Sequence, residues 1–235
     1  MRFLLFVTCL LIASSVCAQA VPIPGSPNEL INGDFETGLL NPWVATPSNG
    51  VIVADYGTYG HVLQCDLTTN GWGDTVRQVV DDSKNPLWNW NMHRKVIDLM
   101  ADICIEKKGS TVGGVRFRLD WWDESYNDRD EPPTENDPGY HVSDWVGYMT
   151  GKNDLGYKVV LPFQWHHVNP FNQIVLPIQP RWISVEIEFW QPHNVINKVD
   201  NVVLTSKCVP EPSSFVALLL GIFSAAPVAT RLRSK

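Results

Sequence analysis

The sequence predicts an all-β domain, an antiparallel β-sandwich or jelly roll, with an N-terminal signal peptide before it and a C-terminal hydrophobic helix after it. Three observations predict the sandwich. Short runs rich in β-branched and aromatic residues recur between glycines, the longer runs alternate apolar and polar residues, and little amphipathic helical periodicity occurs between the two end segments.

Taken in chain order, residues 1–20 read as a secretory signal. Arg2 supplies the positive start, Phe3 to Ile12 the apolar stretch, and Ala18-Gln19-Ala20 a small-residue cleavage site, so the mature chain starts near Val21. Cys17 invites a lipoprotein reading, but Val16 is bulky where a small residue is expected. Residues 21–27 form a linker, and 28–207 the sandwich domain.

Val51 to Tyr56, His61 to Leu67 and Thr75 to Val80 are short strands separated by Gly57, Gly60, Gly71 and Gly73. In KVIDLMADICIE, Ile97, Leu99, Ala101, Ile103 and Ile105 fall on one side and Asp98, Met100, Asp102, Cys104 and Glu106 on the other. VRFRLDWW splits the same way. Val115, Phe117, Leu119 and Trp121 face one side, and Arg116, Arg118, Asp120 and Trp122 the other. With KKGSTVGG as the turn between them, the two runs are predicted to form a hairpin with one buried face.

Glu124 to Tyr140 is acidic and proline-rich and predicts a long solvated loop, without the spacing of an EF-hand calcium loop. Ile183, Val185, Ile187 and Phe189 then alternate with Trp182, Ser184, Glu186, Glu188 and Trp190, and Lys198 to Thr205 makes the last strand. Phe215 to Thr230 closes the chain as an apolar stretch of ~16 residues, ~24 Å as a helix against a hydrocarbon core of ~30 Å. It spans only marginally. Arg231, Arg233 and Lys235 place its end on the cytoplasmic side, leaving the domain outside.

The formal net charge of −7, with scattered Lys and Arg, argues against a nucleic-acid partner. Cys65, Cys104 and Cys208 remain after signal removal in a compartment that permits disulfides, and their spacing supports no zinc site. The sequence leaves their pairing open. No G-x-S-x-G elbow, H-E-x-x-H or phosphate loop occurs, so the chain is expected to be non-catalytic. Glu186 and Glu188 stand about 7 Å apart on one strand face, which glycosidase chemistry would tolerate, but cross-strand ion pairing with Arg116 and Arg118 explains them more simply. His166 and His167 point to opposite faces and read as structural.

Two resemblances add to this. Val209-Pro210-Glu211-Pro212, the apolar stretch and the basic end resemble the PEP-CTERM sorting signal. That resemblance implies an exosortase-type membrane protease as partner, anchoring in the inner membrane facing the periplasm, and cell-surface or matrix location after processing. Leu30-Ile31-Asn32-Gly33-Asp34-Phe35-Glu36-Thr37-Gly38 with Trp43, and Val199-Asp200-Asn201-Val202-Val203-Leu204, resemble the first and last strands of galactose-binding-like jelly rolls, notably carbohydrate-binding modules of families 4, 9 and 22. It implies polysaccharide as ligand and a structural calcium held by Glu36 and Asp200, with Asp34 as a further donor.

Sugars are held by flat aromatic surfaces flanked by polar groups. The alternation sets Trp122 with Arg116, Arg118 and Asp120 on one outward face, and Trp182 and Trp190 with Glu186 and Glu188 on another. In a shared sheet these faces merge into an aromatic strip, the expected ligand site. Alternatively the 124–140 loop covers the tryptophans as a second small core. Three function classes stay open: a polysaccharide-binding surface or matrix protein, a structural or adhesive component without a small ligand, and a glycan-active enzyme.

Overall fold

The period-two runs become the strands of two sheets in the computed structural model of the chain, which describes residues 28–209 apart from 48–49, 66–71, 82–93, 108, 110, 124, 127–132, 153, 177–179, 181 and 191–193. The signal peptide, the linker 21–27 and the tail with Pro210, Glu211, Pro212, Arg231, Arg233 and Lys235 lie outside the described residues. No helix among the described residues is long and apolar enough to cross a membrane.

The strands are β1 (Val44–Thr46), β2 (Val51–Asp55), β3 (His61–Cys65), β4 (Trp72–Asp81), β5 (Arg94–Lys107), β6 (Gly114–Trp122), β7 (Tyr140–Val142), β8 (Val146–Met149), β9 (Lys158–Val159), β10 (Trp165–Val175), β11 (Trp182–Trp190) and β12 (Val195–Val209). A seven-stranded sheet runs β1-β4-β11-β6-β8-β9, with β7 also on β6, and a five-stranded sheet runs β10-β5-β12-β3-β2. All pairs are antiparallel except β8 with β9. The fold is the expected all-β sandwich. The apolar sides of β5, β6 and β11 face one another in a single core that includes Ile97, Leu99, Phe117, Leu119, Ile187 and Phe189.

The expected hairpin of β5 and β6 does not form. β5 pairs with β10 and β12, whereas β6 pairs with β11, β7 and β8, so the chain crosses from one sheet to the other between them. Two runs with one apolar face each can bury those faces side by side or opposite each other, and here they do the latter. Gly113 permits the crossing, because a Cβ there would overlap the side chains of Val195 and Ile105.

The Leu30–Gly38 motif is likewise not a strand. Asn32 and Phe35 take left-handed backbone (φ 53° and 54°), which breaks any ladder and folds the segment into turns. It fastens instead onto β12. Val202 donates its N–H to the Gly33 carbonyl (2.8 Å), and the Asn28 side chain bonds the backbone of Val202 and Leu204. Gly33 is required by this approach, since a Cβ would overlap the Val202 carbonyl. Cys65 and Cys104 are both buried, but on opposite sides of the five-stranded sheet, so they do not pair with each other. Cys65 joins the core, while Cys104 lies on the outer side, opposite Lys198 of β12.

Candidate functional site

On the outer face of the seven-stranded sheet, β6 and β11 are neighbours in a register that sets Trp122 against Trp182, Asp120 against Ser184, Arg118 against Glu186 and Arg116 against Glu188. The two predicted faces therefore do merge. Trp122 and Trp182, however, are 0% and 4% exposed, which corrects their expected role as an open platform. They form a small second cluster with Tyr126, against which Tyr140 packs, and the Trp122 indole N–H donates to the Thr134 carbonyl (2.9 Å). Tyr126, Thr134 and Tyr140 of the loop thus pack on them, as the alternative had it, because large aromatic faces gain most by burial.

The charged residues beside them pair with one another, although the buried Arg118 Nε makes no hydrogen bond among the described residues. Arg116 donates to Glu188 and to the Tyr157 hydroxyl, while Arg118 reaches Glu186 (2.6 Å), Asp120 (3.1 Å) and Glu135 (3.1 Å). Trp145, absent from the expected site, lies over both guanidiniums at 4.1 and 4.9 Å. Burial pushes the Asp120 carboxyl up to about 6 against the pull of Arg118, and burial likewise raises Glu188 against Arg116. Trp190 is half-buried at the far end of this face.

The opposite face, that of the five-stranded sheet, holds an aromatic group that the sequence did not bring together. Register places Trp165 of β10 beside Cys104 of β5, and Cys104 beside Lys198 of β12. Tyr56 precedes and Tyr59 ends the 3₁₀ turn Gly57–Tyr59 that follows β2, and both fold over this row. Ring centroids lie 5.4 Å apart for Tyr59 and Trp165, 6.2 Å for Tyr56 and Trp165, and 5.8 Å for the two tyrosines. Tyr59 is 55% exposed, and Trp165 half-buried, its indole nitrogen shielded and without a hydrogen-bond partner among the described residues.

Beneath the rings lies a buried ion pair. The Lys198 ammonium sits 2.5 Å from Glu106 and 3.5 Å from the Tyr56 ring centre, and the Tyr56 hydroxyl donates to the same Glu106 oxygen (2.6 Å). Burial opposes ionisation of Glu106, but its bonds from Lys198 and Tyr56 hold its pKa below the usual range. The Tyr56 bond raises that phenol to about 12, and burial, with Glu106 nearby, raises the Cys104 thiol to about 11, so the thiol stays protonated and unreactive. One row along the face, His167 bonds Asp102 (2.9 Å), whose other oxygen accepts from the Asn201 amide (2.9 Å).

Asp200 lies opposite Asp102 on adjacent strands. Burial lifts its pKa to about 6, and Asp102, Glu36 and Asp34 add to that rise, so the expected metal donors share one neighbourhood. Glu36 is bound to the backbone N–H of His61 (3.1 Å), and among the described residues no three His, Cys, Asp or Glu side chains converge as a formed metal centre. The oxygen-only donor chemistry fits a hard cation.

No protein-family model matches the chain, and no curated protein matches it. Solved structures do. A xylan-binding domain of family 22 from Paenibacillus barcinonensis is 14% identical over 80% of this chain and 97% of its own, with a TM-score of 0.47. The module TmCBM61, solved with β-1,4-galactotriose, is 15% identical over 77% of this chain and 100% of its own, with a TM-score of 0.45. The enzymatically active domain of bacteriophage CBA120 tailspike protein 4 is 14% identical over 77% of this chain and 21% of that one, with a TM-score of 0.44. At such identities and scores, what this chain binds has to be read from its own surface.

Proposed function

We propose that the chain is a non-catalytic polysaccharide-binding module that holds its glycan on the outer face of the five-stranded sheet. The observation that carries this reading is the Tyr59–Trp165 pair, an accessible aromatic surface beside a polar row of Asp102, His167 and Asn201. Sugar rings present C–H faces to such rings and hydroxyls to such polar groups, whose mixed donors and acceptors suit them. The test is affinity electrophoresis in gels carrying xylan, galactan, mixed-linkage glucan or an acidic polysaccharide. Wild type should be retarded by at least one, and Tyr59→Ala and Trp165→Ala, shown folded by circular dichroism, should each weaken retardation about tenfold or more. Folded variants that bind as wild type does sink this site. Retardation of wild type by none of them points to the structural or adhesive reading.

The reading extends to a calcium ion held by Glu36 and Asp200 with help from Asp34, where the first segment meets β12. Calcium would offset the burial and the repulsion that now raise Asp200, and tie the first segment to β12. It should raise the melting temperature of wild type above that in chelator, and an equal rise in Asp200→Ala would exclude this donor set. Export by the signal peptide and sorting through the Val209–Lys235 tail by an exosortase-type membrane protease complete the proposal. Intact-mass measurement of protein from the host envelope should give a C-terminus between Val209 and Ser214, whereas chains ending only at Lys235 would leave a simple anchored protein.

A further inference from the structure

Resting on that reading of the Tyr59–Trp165 face, we infer that Phe163 is a third stacking residue, which lengthens the site along the connection from β9 to β10 and suits it to a glycan chain of several sugars. Two features single it out. Its ring is 61% exposed, and its backbone stands at φ 61°, left-handed, a conformation uncommon for a non-glycine residue and an outlier for a bulky one.

Neither feature helps the fold, since an exposed ring buries little apolar area and glycine would occupy this φ without strain. The conformation is nevertheless held from both sides. The Phe163 N–H donates to the Ile105 carbonyl (3.0 Å), beside Glu106, and the His166 ring bonds the Leu161 carbonyl (2.9 Å). Phe163 lies two residues before Trp165, in the turn that leads into β10, and its bond to Ile105 sets it next to Glu106, which accepts from the Tyr56 hydroxyl. Leu161, in the same connection, is also exposed, at 60%. The occupant this arrangement fits is a chain long enough to cover Tyr59, Trp165 and Phe163 in turn. A monosaccharide or a chain end would leave Phe163 uncovered.

Titration calorimetry tests this with oligosaccharides of two to six sugars prepared from the polysaccharide that retards wild type most. Phe163→Gly suits the backbone and removes the ring, so it should keep or raise the melting temperature, leave disaccharide binding unchanged and weaken the longest oligosaccharide about tenfold. Phe163→Trp should restore it. Trp165→Ala should weaken every length, which separates the two roles. Equal affinities of wild type and Phe163→Gly along the series would overturn the inference and leave the Tyr59–Trp165 site standing. So would a dimeric wild type made monomeric by Phe163→Gly with unchanged glycan affinity, because the ring would then serve contact between two copies. Failure of wild type to bind any polysaccharide removes both.

Discussion

Arg118→Ala should destabilise the domain by about 3–5 kcal/mol at neutral pH, and the deficit should narrow as the pH falls from neutral towards 6. Arg118 is the cation at the centre of the seven-stranded sheet's outer face, reaching Asp120, Glu186 and Glu135 with its own side chain only 16% exposed. Glu135, at 61%, contributes little, because an exposed pair is screened by water. Asp120, at 1%, decides the outcome: without the guanidinium its charge is left buried among the Tyr140 and Ser184 hydroxyls and the like-charged Glu186, with only the weaker pull of Arg77 to offset it.

The pH dependence follows from the same carboxyl. Its folded pKa, about 6, lies above the ordinary 3.8, so between those values the folded state holds a proton that the unfolded state has released. Stability from this group is therefore fully present below about pH 4 and lost as the pH rises through 6. In Arg118→Ala the carboxyl has lost the stronger of its two cations, Arg77 remaining, and protonates more readily still, so acid removes the charge that the mutation exposed. Urea unfolding of wild type and variant at pH 5 and pH 7.5 measures both deficits. Equal deficits at the two pH values would show that Arg118 acts through packing, for instance under Trp145, and not through Asp120.

What the sequence discloses about this molecule is governed by range along the chain. Alternation is local, and it assigned Ile97 to Ile105, Val115 to Trp121 and Ile183 to Phe189 to the core side, where nearly all of them are fully buried. It also set Arg116 and Arg118 on the face of Glu186 and Glu188, and the register then paired them. Partner choice is not local. The KKGSTVGG segment has turn residues whether it joins neighbours in one sheet or crosses between two, so the hairpin expectation failed without a warning in the residues. The five-stranded face was illegible for the same reason. The Tyr56 to Glu106 bond closes over 50 residues and the Lys198 to Glu106 bond over 92, and neither follows from any spacing. One signal was available, the Tyr56-Gly57-Thr58-Tyr59-Gly60 turn, with two aromatics at a tight surface bend of left-handed glycines (φ 65° and 74°).

Lys198→Ala should be the most damaging substitution on the five-stranded face, at about 3–5 kcal/mol, a large share of the roughly 5–15 kcal/mol that holds a domain folded. Lys198 is 3% exposed in its side chain and Glu106 23%, and the ammonium touches both Glu106 and the Tyr56 ring. Removing it leaves a largely buried carboxylate whose remaining partner is the Tyr56 hydroxyl, so the cost is that of an uncompensated charge as well as a lost contact. The double substitution Lys198→Met with Glu106→Gln separates the two. It keeps the volume, removes both charges, and should recover most of the stability, since a well-packed apolar replacement of a buried pair is often neutral. Binding should not recover with it. Tyr56 would keep a neutral acceptor in the new side-chain amide but lose the cation on its ring face, leaving it less firmly placed against Tyr59 and Trp165. Guanidinium unfolding gives the stabilities and affinity electrophoresis the binding. A double variant as unstable as Lys198→Ala would mean that lost packing, not an orphaned charge, is the cause. One that is stable and binds as wild type does would show that the pair serves only the fold and that Tyr56 holds its place without it.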